Sequence, residues 1–416
     1  MLNTVLLVTV EQVPKPGRGG PGAVIDNLVK ELISNPCEYG WLPIVVSNPC
    51  VRETHRHSLL TLLPSFIKSL IERLRNTPIV GYVLCFLITE IRLIQLFSLI
   101  HRFEKLLRMN YDKIKNAHVI HAHDIYSLIA LSKVLCDHCK FKPILLSIHS
   151  PGSTSRETLK YYPEEEFTRF GKYLKFYELY AIWLSTALIM PSKGALSLLM
   201  KDQPLIQQMR KKTYILYNGI KPLKTTSRDL LRKKLNLSSK DILIIGIGRL
   251  ATEKGFDILI KATKYLDREL TNVHVVIVGD GMQRKVLEDL VELLDLKSKV
   301  HFLGHVKDIS YVYSAADIFV SSARRSALDL VILEALSAGL PIVATDVGGN
   351  REAIGDAGVI IEPDDPKTLA KAIIKLIKNE GLRRKLSLRA QKRFKELFHI
   401  KSMVHSYIQI LNEIVS

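Results

Sequence analysis

Short runs of Val, Ile and Leu recur along this chain, and most are followed by a stretch with helical periodicity. The runs do not alternate with polar residues, which is typical of strands covered on both faces. Strand, turn and amphipathic helix, repeated over 416 residues, predict an α/β protein with parallel sheets and right-handed crossovers. The predicted strands in the first half of the chain lie at residues 4–10, 42–47, 117–122, 143–149 and 186–191. Those in the second half lie at residues 213–217, 241–247, 273–279, 299–303, 317–321, 341–345 and 358–362.

A polar segment without periodicity, residues 221–227, separates two groups of predicted strands. A chain of this length can form two or three domains, each with its own core. We therefore predict two Rossmann-like doubly wound domains, residues 1–220 and 221–399, joined at this linker.

Residues 51–116 interrupt the pattern, because they show helical periodicity and no convincing strand. Apolar side chains form a stripe near residues 62–74 and a wider face near residues 91–103. The segment has eleven Lys or Arg and five Asp or Glu. Two interpretations follow: contact with an anionic membrane surface, or packing of these helices against the first sheet. A transmembrane span is not predicted, because charged residues closely follow the apolar run 79–89 and a span needs roughly 18 nearly uncharged residues.

The composition, 47% hydrophobic and 24% charged, is ordinary for a soluble globular protein. Five Cys are few and odd in number, and the first residues resemble a strand more than a signal peptide, so we predict a cytoplasmic protein. The formal net charge of +18 calls for an explanation. Nucleic acid is not a predicted partner, because no RRM, zinc-finger or helix-turn-helix pattern is present. Peripheral contact with the cytosolic membrane face and a basic surface without a specific partner are the two interpretations left.

Two basic residues follow a predicted strand in the second half of the chain. Arg249 comes shortly after the apolar run 242–247, and Lys254 lies in the same loop. Open α/β sheets bind ligands at the carboxyl ends of their strands. An Arg fork and a Lys point charge at such a place suit a diphosphate. Surface ion pairs would explain the two residues taken alone, but their position after a buried strand favours phosphate.

A carboxylate lies in the second turn of the predicted helix that follows Asp329. Glu334 is surrounded in sequence by apolar residues, where an unpaired charge is costly, so it needs a hydrogen-bonding partner. A ribose diol would serve, and a buried structural Glu is the alternative. The backbone N–H groups of Leu330 and Val331 at the helix start would face an anion. The two loops together suit a nucleotide with a further group attached.

Histidines end two predicted strands in the first half of the chain. His121 and His123 lie on one side of a strand end, and His149 ends another strand, where it suits a general base or a sugar contact. We predict no metal site, because the spacing signals no third or fourth ligand and a single Cys-x-x-Cys pair is weak.

In this order, the motifs resemble the retaining glycosyltransferases of family 4, which have the GT-B fold, and the resemblance covers nearly the whole chain. The matching motifs are Gly19-Gly20, His121-Ala122-His123-Asp124, Ile148-His149-Ser150, Asn218-Gly219-Ile220, Gly248-Arg249-Leu250, Lys254-Gly255, Gly279-Asp280-Gly281, Phe302-Leu303-Gly304, Ala316-Asp317, Glu334-Ala335-Leu336 and residues 341–349. Each is common alone, but the ordered set is specific. The resemblance implies two Rossmann-like domains facing across a cleft, with residues 400–416 as a C-terminal helix that returns to the first domain.

The resemblance also implies roles for individual residues. Arg249 and Lys254 would bind the donor diphosphate, and Glu334 would bind the ribose. His149 would lie beside the donor sugar, and Gly19-Gly20 would bring backbone close to the diphosphate and the acceptor. No metal or other cofactor is expected, because cationic side chains and helix N-termini neutralise the leaving group. Transfer would retain the anomeric configuration.

The chain departs from the family pattern in the loop before Glu334. The family has a first Glu eight positions earlier, followed by Gly-Phe-Gly; this chain has Ser326-Ala327-Leu328-Asp329. Because that Glu contacts the donor sugar in the family, Ser326 and Asp329 are assigned to the donor site by resemblance. Asp329 either caps the following helix or replaces the lost carboxylate.

These observations predict a hexosyltransferase that uses a nucleotide sugar, a UDP-sugar in preference to a GDP-sugar, and a glycan acceptor. The basic segment favours a lipid-linked oligosaccharide or glycolipid at the cytosolic membrane face. A soluble acceptor is the alternative within the same class. An inactive nucleotide-sugar-binding homologue acting as a partner subunit is the alternative of another class, and Ser326 motivates it.

Overall fold

The computed structural model describes residues 3–9, 21–47, 78–136, 142–160 and 165–416. Within these ranges, two six-stranded sheets have the orders β2-β1-β3-β4-β5-β6 and β12-β11-β10-β7-β8-β9, and all their pairings are parallel. The first sheet consists of β1 (Asn3–Thr9), β2 (Trp41–Ser47), β3 (Val119–Ala122), β4 (Ile144–Ser147), β5 (Ala187–Met190) and β6 (Lys212–Ile215). The second consists of β7 (Ile242–Ile247), β8 (Val273–Val278), β9 (Val300–Gly304), β10 (Ile318–Ser321), β11 (Ile342–Thr345) and β12 (Gly358–Ile361). The strand predictions are confirmed to within two residues at each end.

Helices cover both faces of each sheet. Those of the first half are α1 (Pro21–Ser34), α2 (Pro36–Tyr39), α3 (Pro78–Met109), α4 (Tyr111–Asn116), α5 (Ile125–Cys136), α6 (Thr154–Leu159), α7 (Arg169–Leu184), α8 (Lys193–Asp202) and α9 (Leu205–Gln208). Those of the second half are α10 (Asp229–Lys234), α11 (Phe256–Glu269), α12 (Arg284–Leu293), α13 (Ser310–Ala315), α14 (Leu330–Ser337), α15 (Asn350–Ile354), α16 (Pro366–Lys378), α17 (Glu380–Arg393) and α18 (Ile400–Val415). A 3₁₀ turn (Thr252–Lys254) precedes α11, and a π-helical turn (Phe394–Phe398) precedes α18.

Strand β1 shows why the apolar runs are continuous. Leu6 and Val8 belong to one hydrophobic cluster of the N-terminal domain, whereas Val5 and Leu7 belong to another on the opposite face. All four side chains are fully buried. A strand covered on both faces has no solvent side on which a polar residue would be favoured.

Helix α3 contains most of the described part of residues 51–116, and it packs against the rest of the N-terminal domain. Leu93, Ile100, Phe103 and Leu107 are buried in a cluster that also contains residues of α5. For this part the packing interpretation is therefore correct, and residues 51–77 lie outside the described residues. No helix in the described ranges is long and apolar enough to cross a membrane.

The last helix, α18, packs against the first sheet although its chain arrives from the second domain. Ile220 and His399 form a β-bridge at the crossing point. Beyond it, Met403 and Tyr407 are buried in the same cluster as Val5 and other residues of the first sheet.

Candidate functional site

The carboxyl ends of the two sheets face each other, and hydrogen bonds join the loops that leave them. The Ser192 hydroxyl, after β5, donates to the Ala327 carbonyl at 2.8 Å. In return, the Glu352 carboxylate accepts the backbone N–H groups of Lys193 and Gly194 at 2.9 and 2.6 Å. The start of α8 is therefore capped by a residue of the other domain.

An arginine adds an ion-paired contact between the domains. Arg325, between β10 and α14, places Nη2 2.5 Å from Oδ2 of Asp202 and Nε 2.8 Å from Oε1 of Glu157. The Asp202 side chain is 1% exposed, and it also accepts the Ser153 backbone N–H at 3.1 Å. Arg325 thus ties the β10–α14 loop, residues 322–329, to the N-terminal domain.

Two glycines let neighbouring loops approach this β10–α14 loop. Gly255 has a φ of +64°, and a Cβ there would lie 2.0 Å from the Ser322 carbonyl oxygen. Gly348 has a φ of +53°, and its Cβ would lie 1.7 Å from the Ser326 carbonyl oxygen. Any side chain at either position would push the loop away, so these glycines help to set its position.

Both predicted phosphate-binding cations contact carboxylates. Arg249 Nη2 lies 2.5 Å from Glu253 Oε1, and the Arg249 side chain is about half exposed. Lys254 Nζ lies 2.6 Å from Asp329 Oδ1, in a pair that is mostly buried. A phosphate group has to compete with these carboxylates for the two cations.

Asp329 precedes α14, but its side chain does not cap the helix. The capping alternative is therefore wrong, because the carboxylate turns instead to Lys254. Its second oxygen, Oδ2, is buried without a hydrogen-bond partner among the described residues. The same holds for the hydroxyl of Ser326, a residue that is only 2% exposed. The two residues that depart from the family pattern thus each leave a buried polar atom unsatisfied, and that of Asp329 belongs to the carboxylate that contacts Lys254.

Removing the Asp329 charge is expected to strengthen nucleotide binding. In Asp329→Asn, Lys254 no longer has an anionic competitor, so the dissociation constant for UDP should fall about fivefold, as for loss of a pair worth about 1 kcal/mol. Titration calorimetry measures this. Asp267→Asn is the matched control, because Asp267 pairs with Lys299 in the same domain at the opposite edge of the sheet. Weaker UDP binding in Asp329→Asn would contradict competition and favour a direct contribution of this carboxylate.

Glu334 lies in the second turn of α14, and its partner is a buried tyrosine. Tyr313 Oη donates to Glu334 Oε2 at 2.8 Å. Burial raises the pKa of Glu334 from 4.5 to about 7, and the Tyr313 hydrogen bond opposes this shift. The apolar sequence around Glu334 required a partner for it but did not identify Tyr313. The start of α14 is at Leu330, so the N–H groups of Leu330 and Val331 belong to its first turn, as predicted.

The raised pKa of Glu334 predicts a pH-dependent stability. The folded protein keeps this proton up to about pH 7, whereas the unfolded chain releases it near pH 4.5. As the pH rises from 4.5 to 7, Glu334 therefore lowers the free energy of unfolding more and more, and above pH 7 the reduction is about 3 kcal/mol. Glu334→Gln should be more stable than the wild type near pH 8 and gain little near pH 4.5, as measured by urea unfolding. Glu396→Gln, at an exposed position, is the control. An equal gain in stability at both pH values would contradict the burial of the Glu334 charge as its cause.

Three histidines form a group at the carboxyl end of the first sheet, in which His121 and His123 are buried and His149 is partly exposed. His121 Nδ1 is hydrogen-bonded to Tyr407 Oη at 2.7 Å, and His121 Nε2 is hydrogen-bonded to Ser147 Oγ at 2.8 Å. His123 Nδ1 lies 3.2 Å from His149 Nε2. Burial lowers the pKa of His121 to about 3 and that of His149 to about 4, and it lowers the pKa of His123 well below 6.5. All three rings are therefore neutral at physiological pH.

A small cavity borders this histidine group. Its volume is about 20 Å³, room for one water molecule. His121, His123, His149 and Asn218 contribute to its lining. His149 is thus available to a ligand as a neutral imidazole and not as a cation.

Some predicted features cannot be placed. Gly19-Gly20 and part of the Cys-x-x-Cys pair lie outside the described residues. Among the residues that the structure describes, no group of three or more His, Cys, Asp or Glu side chains is arranged to hold a metal ion. Arg325 and Glu352 were not predicted from sequence, since the surface charges of an α/β chain carry no signal of pairing across a cleft.

Comparison with known proteins places the second domain in a defined family. The family described as Glycosyl transferases group 1 matches residues 227–393. An uncharacterized glycosyltransferase of Methanocaldococcus jannaschii is 30% identical over 287 residues, which are 66% of this chain and 70% of that protein. The lipopolysaccharide glucosyltransferase WaaG of Escherichia coli is 34% identical over 161 residues, 38% of this chain and 43% of that protein. The chain therefore matches less than half the length of WaaG.

A solved structure resembles the whole chain. The crystal structure of Anabaena HepE in complex with UDP has a TM-score of 0.67 and covers 99% of this chain and 100% of its own. The sequence identity is 19%, so this likeness shows the fold alone. The two facing parallel sheets are those of the GT-B architecture.

Proposed function

Since the chain belongs to the group 1 glycosyltransferases, we propose that it transfers a hexose from a nucleotide sugar to a glycan acceptor with retention of configuration. The observation that carries this proposal is the grouping of Arg249, Lys254 and Glu334 around the loops at the carboxyl end of the second sheet. In open α/β sheets this edge is where ligands bind.

Arg249 and Lys254 bind the donor diphosphate in this proposal. The phosphate oxygens displace Glu253 and Asp329 from the two cations. The N–H groups of Leu330 and the next residue, at the start of α14, contribute further donors. These groups neutralise the charge that develops on the leaving nucleotide, so the proposed reaction uses no metal ion.

Glu334 binds the ribose of the donor. An ionised carboxylate accepts two hydroxyl hydrogen bonds, and the Tyr313 hydroxyl holds one of its oxygens in place. Because burial raises the pKa of Glu334 to about 7, the ribose hydroxyls stabilise a charge that is costly without them.

The donor sugar lies between His149 and the β10–α14 loop. His149 supplies a neutral hydrogen-bonding group from the first domain. Ser326 and Asp329 each have a polar atom without a partner in the described structure, and a sugar hydroxyl would satisfy them. In this proposal Asp329 replaces the carboxylate that the family has at the position of Ser326. Gly19-Gly20 approach the diphosphate and the acceptor.

We favour a UDP-sugar over a GDP-sugar, which agrees with the UDP bound by HepE, a protein of the same fold. The favoured acceptor is a lipid-linked oligosaccharide or a glycolipid at the cytosolic membrane face, bound by the first domain. The net charge of +18 and the relative named a lipopolysaccharide glucosyltransferase support this choice. A soluble acceptor is the alternative within the class.

Release of nucleotide from a panel of UDP-, GDP- and ADP-sugars tests the proposal. We expect slow release from one donor by the wild type and loss of that release, by about a hundredfold or more, in Lys254→Ala and Glu334→Ala. Asp267→Asn, at the opposite edge of the same sheet, is expected to behave as the wild type.

The Lys254–Asp329 pair and Ser326 also favour a second candidate, an inactive homologue that binds nucleotide sugars as a partner subunit. Saturable UDP binding without release from any donor, also in the presence of membrane lipid extract, would select this candidate and overturn the transferase proposal.

A further inference from the structure

Aromatic side chains form an unbroken strip on the outside of the N-terminal domain. The strip consists of Phe97 from α3 and Tyr173, Phe176, Tyr177, Tyr180 and Trp183 from α7. Neighbouring rings have centroids 5.6 to 6.0 Å apart, from Phe97–Tyr173 through to Tyr180–Trp183. Phe176 and Trp183 are 57% and 61% exposed, and Phe97 is 39% exposed.

The strip adjoins the face by which α7 joins the core. That face is formed by Phe170, Leu174 and Ala181, which are buried in the main cluster of the domain, and the three tyrosines of the strip are partly buried against the same cluster. Phe176 and Trp183 lie beyond them and are exposed, so the apolar side of α7 is wider than the part that the core covers. A contiguous exposed apolar surface of this kind marks a binding site for a partner.

The charges beside the strip indicate which partner it fits. Helix α7 carries Arg169, Lys172 and Lys175, all at least partly exposed, and its one acidic residue, Glu178, is fully buried. Arg169 and Lys175 have surface ion pairs with Glu90 and Glu166. Such exposed pairs are weak and leave both cations accessible to another anion.

Helix α3 and the chain after α7 add to this basic border. Arg102 and Lys105 are exposed one and two turns beyond Phe97. Lys211 donates to the carbonyl oxygens of Trp183 and Ser185 at the other end of the strip. An aromatic surface bordered by cations repels a second copy of this chain, whose net charge is +18, and it matches an anionic bilayer.

We propose that the aromatic strip binds the surface of an anionic lipid membrane. Tyr and Trp rings favour the depth of the lipid headgroups, where one end of the ring is apolar and the other hydrated. The flanking Lys and Arg side chains contact the lipid phosphates. Membrane binding would bring the protein to the lipid-linked acceptor of the proposed transfer, and in this respect it rests on the proposed function. Phe97, Arg102 and Lys105 of this surface belong to residues 51–116, and its other residues lie on α7 or after it.

The chain carries its own reporter for this contact. It has two Trp residues, and Trp41 is 1% exposed with its Nε1 donating to Asn412. Quenching of fluorescence by aqueous acrylamide therefore reports mainly on Trp183. We expect phosphatidylcholine vesicles containing phosphatidylglycerol to protect Trp183 from acrylamide, and vesicles of phosphatidylcholine alone to protect it much less.

A double variant tests the strip and keeps the reporter. Phe176→Ser with Tyr180→Ser should bind the anionic vesicles at least about tenfold more weakly in flotation and quenching. The matched control is Val286→Ser with Leu293→Ser, two exposed apolar residues of α12 in the other domain, and it should bind as the wild type.

Three outcomes would overturn the proposal: no protection of Trp183 by anionic vesicles, equal binding by the strip variant, or a dimer of the wild type that the strip variant loses. UDP binding, measured by calorimetry on the same proteins, separates this proposal from the transferase proposal. The strip variant should bind UDP as the wild type does. A wild type that binds vesicles but no UDP would contradict the proposed function and leave the membrane surface supported.

Discussion

Lowering the pH from about 7.5 to about 5 should destabilise the N-terminal domain by several kcal/mol. The histidine group of His121, His123 and His149 causes this effect. Their pKa values are lowered in the folded protein, to about 3 for His121 and about 4 for His149, while the unfolded chain takes up protons near pH 6.5. Their contribution to stability is complete above pH 6.5 and is lost as the pH falls toward 4. His121 and His149 each contribute a loss of about 2 kcal/mol at pH 5, and His123 acts in the same direction.

Acid has the opposite effect on the C-terminal domain through Glu334. Protonation of Glu334 below about pH 7 removes the cost of burying its charge. The two domains should therefore unfold in separate urea transitions at pH 5, the N-terminal domain first, although they contact each other at neutral pH. Circular dichroism together with Trp41 fluorescence follows this, because Trp41 is in the core of the N-terminal domain.

His121→Gln tests the origin of the acid effect. The amide of Gln can still form hydrogen bonds with Tyr407 and Ser147, but it does not titrate. The loss of stability between about pH 7.5 and pH 5 should therefore be about one third smaller than in the wild type. His405→Gln, at an exposed position of α18, should leave the pH dependence unchanged. A His121→Gln protein that is less stable at every pH by the same amount would show a structural role only and would contradict the titration argument.

Arg325→Ala should lower kcat/KM for transfer about a hundredfold while UDP still binds with nearly wild-type affinity. Arg325 holds the β10–α14 loop against Asp202 and Glu157 of the other domain. Without it, the loop that carries Ser326 loses its fixed position relative to the first domain, and small misplacements of reacting groups cost about this much in rate. In the proposed site the side chains that bind UDP, those of Arg249, Lys254 and Glu334, belong to the C-terminal domain, so the dissociation constant of UDP should change little.

Three further proteins make this prediction specific. Arg325→Lys keeps the charge but not the fork, so it should recover part of the activity. Arg351→Ala removes a surface pair with Asp346 within one domain and should be near wild type. In a double-mutant cycle, Glu157→Gln should have little further effect once Arg325 is removed. Loss of UDP affinity as large as the loss of rate would contradict a positioning role across the cleft.

The strands and the strand ends that carry Arg249 and Lys254 were predictable from sequence because burial on both faces leaves a continuous apolar run. The Lys254–Asp329 pair was not predictable, since the two residues are 75 positions apart and a carboxylate before a helix usually indicates a cap. The need of Glu334 for a partner followed from its apolar surroundings, but choosing Tyr313 requires the packing of α13 against α14.

The aromatic strip shows a different limit. Helical periodicity places Tyr173, Phe176, Tyr177 and Tyr180 on one side of α7, and such a stripe normally predicts a core face. Only the structure shows that the three tyrosines are partly buried against the core, whereas Phe176 remains exposed. A sequence pattern gives the direction in which apolar side chains point, but not how much of a wide apolar side the remaining chain covers.

The return of α18 to the first sheet has a consequence for biosynthesis. The cluster that contains Val5 and Leu7 is completed by Met403 and Tyr407. About 180 residues separate β6 from α18, so the ribosome needs on the order of ten to forty seconds to supply the last helix after the first sheet has emerged. During that interval the nascent N-terminal domain exposes the groove that α18 will fill, and His121 lacks its Tyr407 partner. Chaperones that recognise exposed apolar surface therefore have a defined window of access, which closes when the final helix leaves the exit tunnel.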